Sequence, residues 1–226
     1  MSVILDREGR RDDLRRCGEI VAAATTGFTA ESYELDEAPP FGALLTVRAP
    51  AASAVSRYYA LCHGVETGSI EPGRHAVAWG RQDDDGEDDI YRRQPQLRHV
   101  LHTTFDALLV GYEPRADRPG LIAAHDRAVP PPLQRIPPSP PRLHAAVEIA
   151  SPAVVAHFNR SLSYLRLLLR SAAPNLEDLT AATIRHAYES MGADHDFLVN
   201  AARATARLLG AEHDRIMTIL ELLDDA

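Results

Sequence analysis

Three groups of residues in this sequence are of types that do chemistry. The densest is Asp83-Asp84-Asp85-Gly86-Glu87-Asp88-Asp89, six carboxylates in seven positions. Oxygen ligands at this density suit a hard divalent cation, but a cation loop fixes them with a defined turn and a closing bidentate Glu. Here the Asp-x-Asp-x-Asp-Gly pattern is broken and no closing Glu follows. A self-repelling, solvated loop is the plainer reading. The second group is His99 and His102, three apart, with Cys62 and His63 elsewhere. A structural zinc site shows two close pairs of thiol or imidazole ligands, and this set has a single His pair.

The third group is His186, His195-Asp196 and His213-Asp214, the residue types of a metal-dependent phosphohydrolase. Both His-Asp dipeptides fall in the first turns of predicted helices, where capping and the helix dipole favour Asp on their own. No Gly-x-Ser-x-Gly elbow and no Gly-x-Gly-x-x-Gly dinucleotide loop occurs. The chain contains no lysine, so every basic side chain besides histidine is arginine. That excludes a Walker A loop, whose Lys reaches the terminal phosphates, and a Schiff-base lysine. No catalytic, cofactor-binding or metal-ligating residue is therefore assigned, and no cofactor is expected.

Nucleic-acid binding needs aromatic platforms set among basic groups. Arg57-Tyr58-Tyr59 and Tyr91-Arg92-Arg93 supply both types. Tyr58 and Tyr59 point to opposite faces of a predicted strand, so only one is available at the surface. Tyr91-Arg92-Arg93 abuts the acidic block. A formal net charge of −8 argues further against a protein that coats DNA or an anionic membrane by bulk electrostatics.

The elements that must position these residues fall into two halves. With 226 residues, 45% hydrophobic and 25% charged, the chain is long enough to bury a core without disulfide staples. Its two cysteines, Cys17 and Cys62, are read as buried free thiols. No apolar run approaches the ~20 residues that span a bilayer. The N-terminal residues are charged throughout and do not read as a signal peptide. A cytoplasmic protein is expected.

From Leu14 to Gly80 short strands alternate with turns. Gly18 to Leu35 reads as two strands joined at Thr25-Thr26-Gly27, the second with Phe28 and Ala30 on one face. Leu44–Arg48 and Tyr58–His63 are strand-like, Gly64–Gly68 and Glu71–Arg74 are read as turns, and His75–Trp79 as a further strand. Tyr91–His102 reads as a short helix and Phe105–Tyr112 as a strong strand. Seven of the sixteen prolines lie between Pro130 and Pro141. That density predicts an extended, semi-rigid spacer. Leu143–Ile149 is read as one more strand returning to the barrel edge.

Ser151-Pro152 predicts a helix start, with Val155, Phe158, Leu162, Leu165 and Leu169 on one face. Pro174 ends that helix and Asn175 caps the next. Asp194 begins a third and Gly210 ends it, and a fourth runs from Ala211. The reading is α+β: an N-terminal small antiparallel β-barrel, a Pro-rich linker and a C-terminal region of about four helices. Its divisions are a flexible leader at 1–13, a barrel at 14–112, a linker at 113–142, a returning strand at 143–150 and helices at 151–226.

The order Gly18-Glu19-Ile20-Val21, Thr25-Thr26-Gly27-Phe28, then a Gly42-led strand resembles the opening of the HAS-barrel family. This small barrel is shared by HerA-type DNA-translocating ATPases and ATP-synthase subunits. The resemblance covers the first half of the chain. It implies a barrel that packs around a hexameric ATPase ring and docks partners, here without the ATPase domain. It implies that Thr25, Thr26 and Phe28 at the corner are interaction residues. The expected function is then a non-catalytic accessory or assembly protein for a HerA-like ATPase in DNA processing or repair. Its partners are that ATPase or further copies of itself through the barrel and C-terminal helices, with nucleic acid engaged only indirectly. The alternatives are a metal-dependent nuclease or phosphohydrolase working with such an ATPase, and a DNA-binding adaptor.

Overall fold

The computed structural model describes residues 16–71, 91, 94–115 and 131–224. The expected leader, the His75–Trp79 strand and the acidic block lie outside the described residues. Six antiparallel strands close into a barrel: β1 (Arg16–Ala23), β2 (Gly27–Ser32), β3 (Leu44–Arg48), β4 (Val55–Ser69), β5 (Leu101–Pro114) and β6 (Ala146–Ile149). Their order around the barrel is β1-β2-β5-β4-β3-β6. Alternation decides what lies inside: Ile20, Phe28, Ala30, Leu45, Val47, Phe105 and Val147 fill the interior.

β6 is the closing strand, hydrogen-bonded to β1 on one side and β3 on the other. Its Glu148 is buried between Arg16 of β1 at 3.8 Å and Arg48 of β3 at 3.6 Å. The two guanidiniums thus bracket the one carboxylate from both sides of the seam.

Several elements differ from the sequence reading, each for a local reason. Gly64–Gly68 is not a turn, because β4 runs unbroken to Ser69 and pairs residue by residue with β5 as far as Leu101. The glycine signal at Gly64 marks a register shift between Cys62 and Gly64 instead. β2 ends at Ser32, not Leu35, where the Ser32 hydroxyl donates to the Cys17 carbonyl at 3.0 Å. Within the described residues of Tyr91–His102, Pro95–His99 forms a 3-10 turn before β5 begins at Leu101.

The helical region has five helices, α1 (Pro152–Phe158), α2 (Leu165–Leu169), α3 (Leu176–Ser190), α4 (His195–Leu209) and α5 (His213–Asp224). It packs on the barrel's outer surface. Leu44, Tyr59, Leu61 and Val110 point outward from the strands and meet Val155, Phe158, Leu165, Leu168, Leu179 and Ile184. The Tyr59 and Phe158 rings stack at 4.7 Å between centroids. Burying such apolar faces at ~25 cal/mol per Å² is what holds helices to sheet.

The run read as one helix from Ser151 to Leu169 is two helices. Gln134, from the Pro-rich segment, inserts at the break. Its amide donates to the carbonyls of Phe158 and Ser161, both at 2.7 Å, and its oxygen accepts from the Tyr164 N–H at 2.9 Å. Those carbonyls are satisfied by a side chain in place of the next helical turn.

The same observation corrects the spacer reading for the described part of the Pro-rich segment. Residues 131–142 form a packed strap, with Leu133 and Tyr112 exchanging backbone hydrogen bonds at 2.8 and 3.0 Å. Close approach requires Gly111 there, since an added Cβ would stand 2.9 Å from the Leu133 oxygen.

The caps divide as well. Asp194 accepts from the N–H groups of Asp196 and Phe197, at 3.0 and 3.2 Å. Ser151 and Asn175 make no side-chain cap bond, and Asn175 is left-handed at φ 52°.

Candidate functional site

Among the described residues, those singled out by type do not converge. Among the described residues no group of three His, Cys, Asp or Glu side chains is placed to hold a metal ion. Cys62 is buried inside the barrel, its thiol donating to the Pro39 carbonyl at 3.6 Å. Burial pushes that thiol up to about 11. His102 faces the Glu31 carboxylate at 3.5 Å across the strands. His186 is a half-buried imidazole whose pKa desolvation lowers, which disfavours its charged form. His195-Asp196 and His213-Asp214 each sit in the first turn of a helix.

The aromatic pair also turns out differently from the sequence reading. Tyr58 and Tyr59 do point to opposite faces, but both faces are covered, at 2% and 0% exposure. Tyr58 points into the barrel, where its hydroxyl donates to the Pro140 carbonyl at 3.2 Å. Tyr59 lies under α1 and donates to the Glu113 carboxylate, while Arg57 stands 3.9 Å from Glu113. Neither ring is available to stack on a base.

The β1–β2 corner is where the structure offers a surface. Thr25 and Thr26 are exposed there, whereas Phe28 is 4% exposed and belongs to the barrel interior. The corner lies tight against β5, since the Leu109 N–H donates to the Thr26 carbonyl at 2.9 Å. Beside it opens a cleft of about 630 Å³ between barrel and helices. The barrel supplies Thr26 and Gly27 from the corner, His63 from β4 and Ala107–Leu109 from β5. The strap supplies Ile136 and α2 with its exit supplies Arg166, Leu167, Arg170 and Ser171–Ala173.

A neighbouring hollow of about 400 Å³ shares Thr26, Gly27, His63 and Ala107 with the cleft, so the two form one groove across the corner. Its far end carries Asp106, whose carboxylate accepts from the Thr29 hydroxyl at 2.5 Å.

The cationic groups of the groove lie at its α2 end. Among the described residues no carboxylate lines the larger cleft. Arg166 and Arg170 are exposed, four apart on α2 and its cap, which places them as neighbours on one helix face. Among the described residues neither guanidinium has an ion-pair or hydrogen-bond partner. His63 Nδ1 is buried at the groove wall and likewise lacks a partner among the described residues.

Sequence reasoning missed Arg166 and Arg170, which look like an ordinary solvated helix face. A signal was there: no Asp or Glu occurs between Glu148 and Glu177, a stretch that carries Arg160, Arg166 and Arg170 in an otherwise acidic chain.

Comparison with known proteins assigns nothing. No family model matches the chain, and no curated protein matches it. Among the described residues no helix is long and apolar enough to cross a membrane.

Proposed function

We propose that the protein is a non-catalytic accessory or assembly subunit, a barrel that docks onto or organises a HerA-like hexameric DNA-translocase ATPase. The observation that carries this reading is the exposed Thr25-Thr26 corner set beside an open groove. The resemblance marks that corner as the interaction point, and the groove gives it an apolar floor and unpaired cations. Such a surface recognises and holds; it has the apolar lining and few polar groups of a binding site. The barrel's closure supports the same reading, since a sheet without open edges presents side chains and corners to partners rather than backbone.

The test is co-expression with a HerA-like hexameric ATPase, followed by mass measurement during size-exclusion chromatography. A complex heavier than the hexamer, weakened by Thr26→Arg, is the expected result. A chain that stays monomeric with and without the ATPase, and that cleaves DNA with a divalent metal, would overturn it.

A further inference from the structure

We infer that the groove beside the corner receives an acidic peptide segment of a partner protein, with carboxylates on Arg166 and Arg170 and an aliphatic side chain on Leu108, Ile136 and Leu167. The inference rests on the docking reading above and specifies its chemistry.

Charge complementarity is the first argument. Among the described residues, two guanidiniums without partners share one helix face above a cleft that no carboxylate lines, in a chain whose net charge is −8. Planar guanidinium forks match carboxylates bidentately, which gives orientation as well as attraction. Shape is the second. The cleft continues past the corner into the hollow that carries Asp106, so the groove is elongated, cationic at the α2 end and anionic at the other. An extended chain with its acidic residues at one end fits that polarity, and a compact anion does not use it.

A single-stranded nucleic acid is the rival anion, and three features disfavour it. Among the described residues the larger cleft has no aromatic side chain for a base to stack on. It offers two arginines where tracking a phosphate backbone takes a basic stripe. The overall negative charge repels a polyanion beyond the groove.

The experiment uses the full chain. Random dodecapeptides are selected on it by display, and one enriched peptide is synthesised with a fluorescent label and titrated by anisotropy. Enrichment of Asp or Glu with Leu or Ile is expected, with binding that weakens as salt rises. Arg166→Ala/Arg170→Ala should weaken that binding by about tenfold or more. Arg160→Ala, outside the cleft, should leave it unchanged. All three arginines are exposed, so folding is retained, and a thermal melt of each variant verifies it.

Neutral or basic selected peptides, or affinity indifferent to Arg166 and Arg170, would overturn the inference. So would a labelled oligo-dT that binds in their place and loses affinity in the same double variant. Peptide binding seen only after the carboxylates of residues 83–89 are changed to amides would assign the site to the chain's own acidic run, and the partner-peptide reading would fall. A complex with the ATPase that is insensitive to the double variant defeats this inference alone. The absence of both complex and peptide binding defeats the docking reading with it.

Discussion

Replacing Gln134 with Leu should destabilise the protein by about 3 kcal/mol. The side chain is 9% exposed and makes three hydrogen bonds, at 2.7, 2.7 and 2.9 Å, to the chain between α1 and α2. At about 0.5–1.5 kcal/mol net per bond, three bonds contribute about 3 kcal/mol. Leucine fills a similar volume, so a cavity term is small, and the loss is that of two carbonyls and an N–H left without partners. Against a total stability of about 5–15 kcal/mol this is readily measured. Urea denaturation should show a lower midpoint with an unchanged m-value. Gln134→Glu adds a sign. An ionised carboxylate only accepts, and it would face two carbonyl oxygens, so its pKa in the folded state rises above the unfolded value of about 4.3. The stability of that variant is fully present below the unfolded pKa, where a protonated carboxyl still donates one bond. It is lost as pH rises through the raised folded value. The variant should therefore be closer to wild type at acid pH than at neutral pH. A Leu variant within about 0.5 kcal/mol of wild type, or a Glu variant whose deficit does not change with pH, would refute the assignment of Gln134 as the tie between strap and helices.

Four further outcomes follow from individual contacts. Asp194→Ala removes the cap of α4 and should cost about 1 kcal/mol, read as a lower thermal midpoint. The Cys62 thiol, fully buried and pushed up to about 11, should react with a thiol reagent at mildly alkaline pH far more slowly in the native than in the denatured protein. Tyr59 and Tyr164 have phenols raised above the usual tyrosine range, chiefly by burial, so an ultraviolet titration should find them ionising last. Because the unfolded phenols ionise first, the stability these two groups contribute is fully present below about pH 10 and falls as pH rises beyond it. Gly27→Ala places a Cβ 2.6 Å from the Ala107 oxygen, which should force the corner off β5, cost about 1–3 kcal/mol and weaken any ligand of the groove.

What the sequence made legible is what depends on near neighbours along the chain. The Gly-led first strand, the Thr25-Thr26-Gly27 corner and the alternation of Phe28 and Ala30 are local patterns, and the strands follow them. The helix stop at Gly210 is similarly local, with φ of 58°. The misses come from partners distant in sequence. Gly64 and Gly68 read as a turn because nothing nearby reveals that residues 101–106 pair with that segment. The Pro-rich run hides Gln134, whose partners are 24 to 30 residues further on. Phe28 illustrates the same limit at the candidate site, since a motif position chosen for interaction proves to be interior packing. The groove itself was invisible, being assembled from a corner, two strands, the strap and a helix that meet only in three dimensions.

The seam at β6 has a consequence for how the polypeptide is made. The cylinder needs Val147 and Glu148 between β1 and β3, so until those residues leave the ribosome two neighbouring strands stand with raw edges. Synthesis of the N-terminal half alone yields a split sheet prone to stick to its siblings. The strand that prevents this lies beyond the proline-rich strap, which makes the last piece of the wall also the hand-over to the helices that lean on it.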